Sequence, residues 1–581
     1  MPGLLGIIAN HDRLNDLEIE YLSLSTLDCK KKAYTHLRFE RFTNPKFLND
    51  KVFEEDDEVL IGIEGIIFNY ADLRSKFSTD NNFALIKKMY KQDEASFFND
   101  FRGEFSGFVY DKKQNIIQVF TNHTSSKNIF YYFDKDLFVF ASEVKVITQI
   151  LNKLGKSNNL SYAGAYSLLT YGFMLHDFTL VEDVKKLLHG HSIKIQLSHE
   201  PDDKISFSHK IEPYFRFTNE VETKDSKSEI IEKIDAKFKQ SITREYQKDL
   251  EYNYRHIATL SGGLDSRMSV MMADKLGFKN ITTMTFSETD YWDERIAKQI
   301  AHDKGFEFLF MALNHGNFFK DVDSPIISND GLVFYGGASH HLRMTSLINP
   351  DEFGLQHTGM LGDAIFGTYL KNTDQNKVTV GDGAYSQGLI SKIEPDFRNI
   401  AGCYTNAEIF KLYNRGFNGM FNGYWMAQQF TEFTSAFLDV DLLSYTLSIP
   451  AKYKHHEQIY IDWIRAKHRD IGKYKWEQTM TSVNLHPSVY KFVAYSRRVI
   501  RALKRRLRLS RLYSMNPIEL WYRSNPSLRN HLQNVYDGNI EELSNNKELM
   551  QDCIKQYNEG NFAQKMQVLT LLRSIQILNL K

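Results

Sequence analysis

Short apolar or alternating runs recur from residue 1 to about 200, at 4–9, 59–68, 107–110, 116–120, 129–133 and 137–140. Turn-forming clusters separate them, such as Asp111-Lys112-Lys113-Gln114-Asn115 and Asp134-Lys135-Asp136. Runs of this length, bounded by turn residues, predict β-strands. Residues 81–100 and 161–172 carry apolar side chains at helical spacing instead. The polar stretch 198–228 predicts an edge hairpin followed by a linker.

From about residue 229 the period changes. The pattern predicts a helix at 229–248, a strand at 254–260, a helix at 267–276, a strand at 281–286, a helix at 292–304 and a strand at 306–311. That alternation is a doubly wound parallel sheet, with ligands expected at the carboxyl ends of its strands. Beyond about residue 400 the chain reads as mostly helical.

A chain of 581 residues exceeds one core, and two or three domains are expected. Hydrophobic content of 42% and charged content of 25% are those of an ordinary soluble protein. A net charge of zero argues against a nucleic-acid partner. Cys29, Cys403 and Cys553 lie far apart without metal-ligand spacing, which fits a reducing compartment. The opening apolar run is short, lacks a basic flank and ends at His11-Asp12-Arg13, so no signal peptide is expected. No run approaches the ~18 apolar residues of a membrane span. A cytoplasmic location is expected, and richness in Lys, Asn, Ile and Phe suggests a bacterial source.

The most informative stretch is Thr259-Leu260-Ser261-Gly262-Gly263-Leu264-Asp265-Ser266-Arg267, between a predicted strand and a predicted helix. Gly262 and Gly263 let backbone N–H groups approach phosphate oxygens without a Cβ clash. Ser261 and Ser266 offer hydroxyls, and the helix aims its positive end at the anion. Asp265 would be repelled by bare phosphate, so its sensible role is to hold Mg²⁺ bridging to it. The motif is neither Walker A nor the dinucleotide-fold fingerprint. It resembles the signature of ATP pyrophosphatases, which cleave ATP between the α and β phosphates, usually through an acyl-adenylate.

A second motif, Thr358-Gly359-Met360-Leu361-Gly362-Asp363-Ala364-Ile365-Phe366-Gly367-Thr368-Tyr369, lies downstream. With the first it resembles the asparagine synthetase superfamily, whose Ser-Gly-Asp-Gly-Gly-Asp-Glu element sits at about this distance. The resemblance implies that Asp265 and Asp363 hold Mg²⁺–pyrophosphate, and that Leu260, Ser261, Gly262, Gly263, Leu264, Ser266, Phe286, Thr358 and Gly359 contact ATP. The family's first aspartate is Met360 here. The β-lactam synthetase branch likewise keeps only the second aspartate, but carries a catalytic Tyr at the Met360 position, so that particular chemistry is not supported. Trp292-Asp293-Glu294-x-x-Ala297 resembles the family's Asp-Glu-x-x-Ala helix. Residues 431–439 resemble the Glu-x-Arg-x-Pro-Phe-Leu-Asp stretch, which makes Glu432 a candidate catalytic residue. The family's Gly-Lys-x-x-Leu-Arg is replaced around His456-Glu457-Gln458. Lys473 and Lys475 are candidate substitutes for its lysine, with a solvated loop as the alternative, and Lys475 joins Asp265, Asp363 and Glu432 in the candidate catalytic set.

The N-terminal region resembles a class II glutamine amidotransferase domain at residues 62–70, 101–107 and, most closely, Phe138-Val139-Phe140-Ala141-Ser142-Glu143-Val144-Lys145. That family begins Met-Cys-Gly, and its cysteine is the nucleophile. This chain reads Met1-Pro2-Gly3, lacks the His-Arg-Gly-Pro-Asp glutamine-binding segment, and has Thr121-Asn122-His123 where the family has Arg-Asp-Arg. The domain is therefore expected to fold without hydrolysing glutamine.

The resemblance covers about 1–480 and implies an α/β protein with an Ntn-hydrolase-like α/β sandwich over 1–205 and a doubly wound ATP-pyrophosphatase domain over 225–480; beyond it, 481–581 reads as a helical extension. The implied function is an ATP- and Mg²⁺-dependent ligase that adenylates a carboxylate and passes it to an amine or ammonia. Asparagine synthesis with ammonia and a non-catalytic nucleotide-binding or assembly role remain the alternatives. Finally, Arg497, Arg498, Arg501, Lys504, Arg505, Arg506, Arg508 and Arg511 cluster with Val499, Ile500, Leu503 and Leu507 at helical spacing. This is a solvated basic face or a contact for an anionic membrane or lipid-linked glycan. A homodimer is a further expected partner.

Overall fold

Two six-stranded antiparallel sheets lie face to face in the N-terminal part of the computed structural model. The model describes residues 2–10, 14–21, 28–201, 204–337, 339–373, 377–506 and 514–581. The first sheet runs Lys185–Lys186, Phe130–Phe133, Leu137–Ala141, Gly3–Ala9, Leu37–Thr43, Asp28–Ala33. The second runs Lys204–Pro213, His191–Glu200, Ile116–Thr121, Gly103–Asp111, Val59–Ile67, Phe53–Glu55. Their inner faces meet through Leu4, Ile8, Phe39 and Phe140 on one side and Leu60, Phe108, Val119 and Ile193 on the other. Helices Val144–Lys153 and Tyr162–Tyr171 cover the first sheet. Helices Tyr70–Phe77 and Asn82–Gln92 cover the second. The result is a helix–sheet–sheet–helix sandwich, and the short apolar runs read from the sequence lie in its strands.

Two strands of the first sheet, Asp28–Ala33 and Leu37–Thr43, escape the hydrophobic pattern. Leu37–Thr43 is buried throughout, yet reads Leu-Arg-Phe-Glu-Arg-Phe-Thr. Its charges are satisfied inside the sheet: Arg38 pairs with Glu40, and Arg41 Nη2 lies 2.8 Å from Asp28 Oδ2. Buried charges need such partners, and the pairing makes a core strand look like a loop in sequence.

The second region is built on a five-stranded parallel sheet, ordered Glu307–Ala312, Ile281–Ser287, Arg255–Thr259, Phe353–Thr358, Phe433–Ser435. The helices Lys227–Glu251, Asp265–Lys275 and Trp292–Lys304 alternate with its first strands as predicted. Lys227–Glu251 starts at a capping box. The Ser226 hydroxyl accepts from Glu229 N–H, and the Glu229 carboxylate accepts from Ser226 N–H. At its far end Asp249 accepts from His256 Nδ1 (2.7 Å), His357 Nε2 (2.8 Å) and Leu355 N–H (2.7 Å), which ties the helix to the two central strands. Burial disfavours the His357 cation, but Asp249 and Glu245 hold its pKa up at about 9.

The C-terminal helices do not stand apart. Leu528, Tyr557, Val568 and Leu572 share one core with Leu168 and Leu169 of Tyr162–Tyr171, and Tyr166 OH donates to Asp552 Oδ2 at 2.9 Å. Phe562–Ile577 is buried along most of its circumference. A helix whose apolar side chains spread over most of its circumference must be covered, so the tail folds back over the N-terminal sandwich.

Candidate functional site

Arg255–Thr259 and Phe353–Thr358 are neighbours in the sheet, and the strand order reverses between them. Loops leaving adjacent strands at such a switch point open a crevice. The loops here are 260–264 and 359–363, the two motifs found in the sequence. Gly359 and Gly362 make their contact possible: a Cβ on Gly359 would meet Ser266 N at 2.2 Å, and one on Gly362 would meet Asp265 Cγ at 2.5 Å. Asp363 N–H donates to Asp265 Oδ2 at 3.0 Å.

The first loop is internally braced. Ser266 Oγ accepts from Ser261 N–H (3.0 Å) and lies 2.9 Å from Ser261 Oγ, which accepts from Gly263 N–H (3.1 Å). Gly262 N–H donates to Asp293 Oδ1 at 2.9 Å, from the first turn of Trp292–Lys304. Burial pushes Asp293 up to about 6. An arriving anion would replace these internal acceptors at the N-terminus of Asp265–Lys275, where peptide dipoles favour negative charge. Leu264 is buried at the start of that helix. Leu260 is buried, and its N–H donates to Met284 O at 3.0 Å.

Asp265 is held well above the carboxylate range, by burial first and by Asp363 second. Glu457 adds to the repulsion, and the Tyr460 phenol faces Asp265 from a ring stacked on Phe366 at 4.5 Å. Asp363 is also raised by burial, while Arg415 opposes the rise. Adjacent buried carboxylates are uncomfortable together unless a proton or cation joins them. The backbone after Asp363 runs through a π-helical turn, Ala364–Thr368, and a second π segment, Leu412–Phe421, carries Arg415. π-helical turns are frequent at functional sites. Donor N–H groups beside a carboxylate pair can hold a phosphate and the cation that neutralises it.

Thr358 ends its strand with its hydroxyl donating to Thr434 O at 2.8 Å, which leaves the side chain committed to the sheet. Phe286 is half-buried near the carboxyl end of its strand, 4.7 Å from the His340 ring. Lys475 is exposed over the Trp292 ring at 5.8 Å, and its carbonyl accepts from Arg267 Nη2 at 2.7 Å. Lys475 therefore lies on the Trp292 side of loop 260–264, and no contact with the aspartate pair is seen. The sequence reading missed Arg267, whose buried guanidinium also donates to Gly262 O (2.9 Å) and Tyr474 O (3.2 Å) and clamps the loop to residues 474–475. Burial lowers it to about 10. It also missed Glu457, Tyr460 and Arg415, which reach the site from distant segments without a local motif.

Glu432 goes elsewhere. Its carboxylate is sealed between the sandwich and the parallel sheet, 2.6 Å from Lys127 Nζ and 3.4 Å from Lys51 Nζ. Lys51 Nζ also lies 3.4 Å from Glu64 Oε1, which accepts from Thr43 Oγ1 at 2.9 Å. These side chains are at most 2% exposed. Two lysines hold Glu432 below its usual range against the effect of burial. Its partners are thus Lys51 and Lys127 of the sandwich, not loop 260–264.

At the start of the sandwich, the residue before strand Gly3–Ala9 is the buried Pro2, which has no thiol. Cys29 lies on Asp28–Ala33, separated from Gly3–Ala9 by Leu37–Thr43, and burial with Glu40 pushes its thiol up to about 11. A thiol at that value is a poor nucleophile at neutral pH.

Residues 33–204 match the glutamine amidotransferase domain family. The chain is 24% identical over 191 residues to a putative glutamine-hydrolysing asparagine synthetase of Methanocaldococcus jannaschii, covering 31% of this chain and 36% of that protein. It is 29% identical over 96 residues to a glutamine-hydrolysing asparagine synthetase of Bacillus subtilis, covering 16% of this chain and 13% of that protein. The chain therefore spans only about a third, or less, of the length of these curated relatives. A glutamine phosphoribosylpyrophosphate amidotransferase from B. subtilis aligns over 54% of this chain and 91% of its own at 8% identity, with a TM-score of 0.25, too low to bear on the fold. The domain match and the sequence relatives together support a place for this chain within the broad superfamily of asparagine synthetases and class II glutamine amidotransferases.

Proposed function

We propose that this protein is an ATP-dependent amide-forming ligase of the asparagine synthetase type. It converts a carboxylate to an acyl-adenylate with loss of pyrophosphate, then transfers the acyl group to an amine or ammonia with release of AMP, without hydrolysing glutamine. The observation that carries this reading is the meeting of Asp265 and Asp363 beside the N–H groups of Gly262 and Gly263. The two buried carboxylates, both raised by burial and Asp265 also by Asp363, fit a cation: Asp265 and Asp363 would hold Mg²⁺, which would neutralise the pyrophosphate leaving group. Gly262, Gly263, Ser261 and the helix N-terminus would bind and orient the phosphates. Arg267 would keep the loop in place from behind.

ATP–pyrophosphate exchange against a panel of carboxylates tests the proposal. At least one carboxylate should support exchange; ATP binding with no exchange on any of them defeats it. That second outcome is the reading favoured by Glu457, whose charge faces Asp265 where the resembling family has its Gly-Lys pair. It would make the protein a nucleotide-binding relative without catalysis.

Glutamine should not be a nitrogen source through this chain's own sandwich. Glutamate release should stay below about 0.01 per second, a hundredth of the low end of usual turnover numbers. Faster release contradicts the assignment. Pro2→Cys alone should not raise it, because the glutamine-binding segment is absent as well.

A further inference from the structure

The helix Pro487–Arg506 presents the wrong face to water. It carries seven Lys and Arg residues and no Asp or Glu, in a chain whose formal charge is zero. At about 100° per residue, Val489, Phe492, Tyr495, Val499, Ile500 and Leu503 fall within an arc of roughly 140°. Lys491, Arg497, Arg498, Arg501, Lys504 and Arg505 fall within an opposite arc of about the same width.

A surface helix of a globular protein buries its apolar arc. Here the anchor is on the other side. Tyr490 projects from the basic arc, is buried, and has the Arg465 guanidinium 4.9 Å from its ring. The apolar arc consequently faces solvent: Phe492 is 72% and Tyr495 68% exposed. Of the 17 large apolar side chains that are exposed among the described residues, seven lie within 485–503. An apolar patch of this continuity marks a contact site.

The partner's chemistry follows from the two arcs. Hydrocarbon must meet one side of the helix while a dense, extended negative charge meets the flanks. No described helix is long and apolar enough to cross a membrane. A helix with aromatic and aliphatic side chains on one face, and six cations with no carboxylate around the other, suits the plane between headgroups and acyl chains. Two more cations, Arg508 and Arg511, follow in sequence and lie outside the described residues.

We infer that Pro487–Arg506 docks this protein on an anionic lipid surface, inserting Phe492, Tyr495 and Leu503 while its basic flanks meet the headgroups. The inference does not depend on the ligase reading. It has a consequence for the site, because the segment that precedes the helix reaches the phosphate loop: Glu477 N–H donates to Gly262 O at 3.1 Å. Docking would therefore bring the crevice close to the membrane surface.

The test is flotation of the full chain with phosphatidylcholine vesicles, with and without phosphatidylglycerol, at low and high salt. Partition should be at least about tenfold stronger on the anionic vesicles, with each basic side chain contributing roughly fivefold, and should weaken as salt screens the charge. Phe492→Asp with Leu503→Asp should abolish binding and leave thermal unfolding unchanged, because both side chains are exposed. Arg497→Glu with Arg501→Glu should weaken it and steepen nothing on neutral vesicles. The inference fails if the wild type ignores anionic vesicles at low salt or binds neutral ones equally well. It also fails if sedimentation reveals a dimer that Phe492→Asp disrupts, which would make the face an interface between copies.

Discussion

Asp265→Asn and Asp363→Asn should each reduce ATP–pyrophosphate exchange by about a hundredfold or more, the scale of loss when a group that stabilises developing charge is removed. Both variants should remain folded. Each carboxyl is raised by burial, and Asp265 also by its neighbour. A carboxyl raised in the folded state penalises folding as pH climbs from its unfolded value through the folded one. Removing one charge should therefore leave the ligand-free protein as stable at neutral pH, or more so. The double variant should be little worse than either single, since both act on one shared ion. Multiplicative losses would mean that the two carboxylates serve separate ions, and a drop in unfolding temperature for either single would contradict the electrostatic argument.

Lys127→Met should be the most damaging single change at the domain interface. It leaves Glu432 and Glu64 sharing Lys51 in a setting where all are buried. Breaking a buried ion pair costs about 3–5 kcal/mol, because the remaining charge has lost its partner. Lys127→Met with Glu432→Met removes both charges and should recover most of the loss. Urea unfolding followed by a probe in each domain measures this, with transitions reported separately because a chain of 581 residues need not unfold in one step. A loss below about 1 kcal/mol for the single variant, typical of exposed pairs, would mean that the network contributes little.

The contrast between Asp363 and Glu432 explains how much of the site was legible. Asp363 is carried by a loop with its own signal, glycines flanking an aspartate after a strand. Glu432 was chosen by the same kind of resemblance, yet its surroundings come from three remote segments: Lys51, Glu64 and Lys127. No local pattern encodes which cations close over a carboxylate at an interface between domains. Lys475 fails for a related reason. Its backbone carbonyl matters to the loop, through Arg267, while its ammonium lies over Trp292.

The sequence alone determined the strand–loop–helix alternation from 229 to 312, the glycine-permitted turn at 261–264 and the basic amphipathic stretch, because each depends on local periodicity or on backbone freedom at named glycines. Tertiary structure alone decided four things. It brought Glu457, Tyr460 and Arg415 to the aspartate pair, and it buried the charged strand Leu37–Thr43 by pairing Arg38 and Arg41 across short distances. It folded the C-terminal helices back on the sandwich, and it chose, through Tyr490, which side of Pro487–Arg506 faces the body. The physical reason is common to all four. Local sequence sets which faces are apolar or charged, but burial and ion pairing depend on what residues far along the chain bring against them.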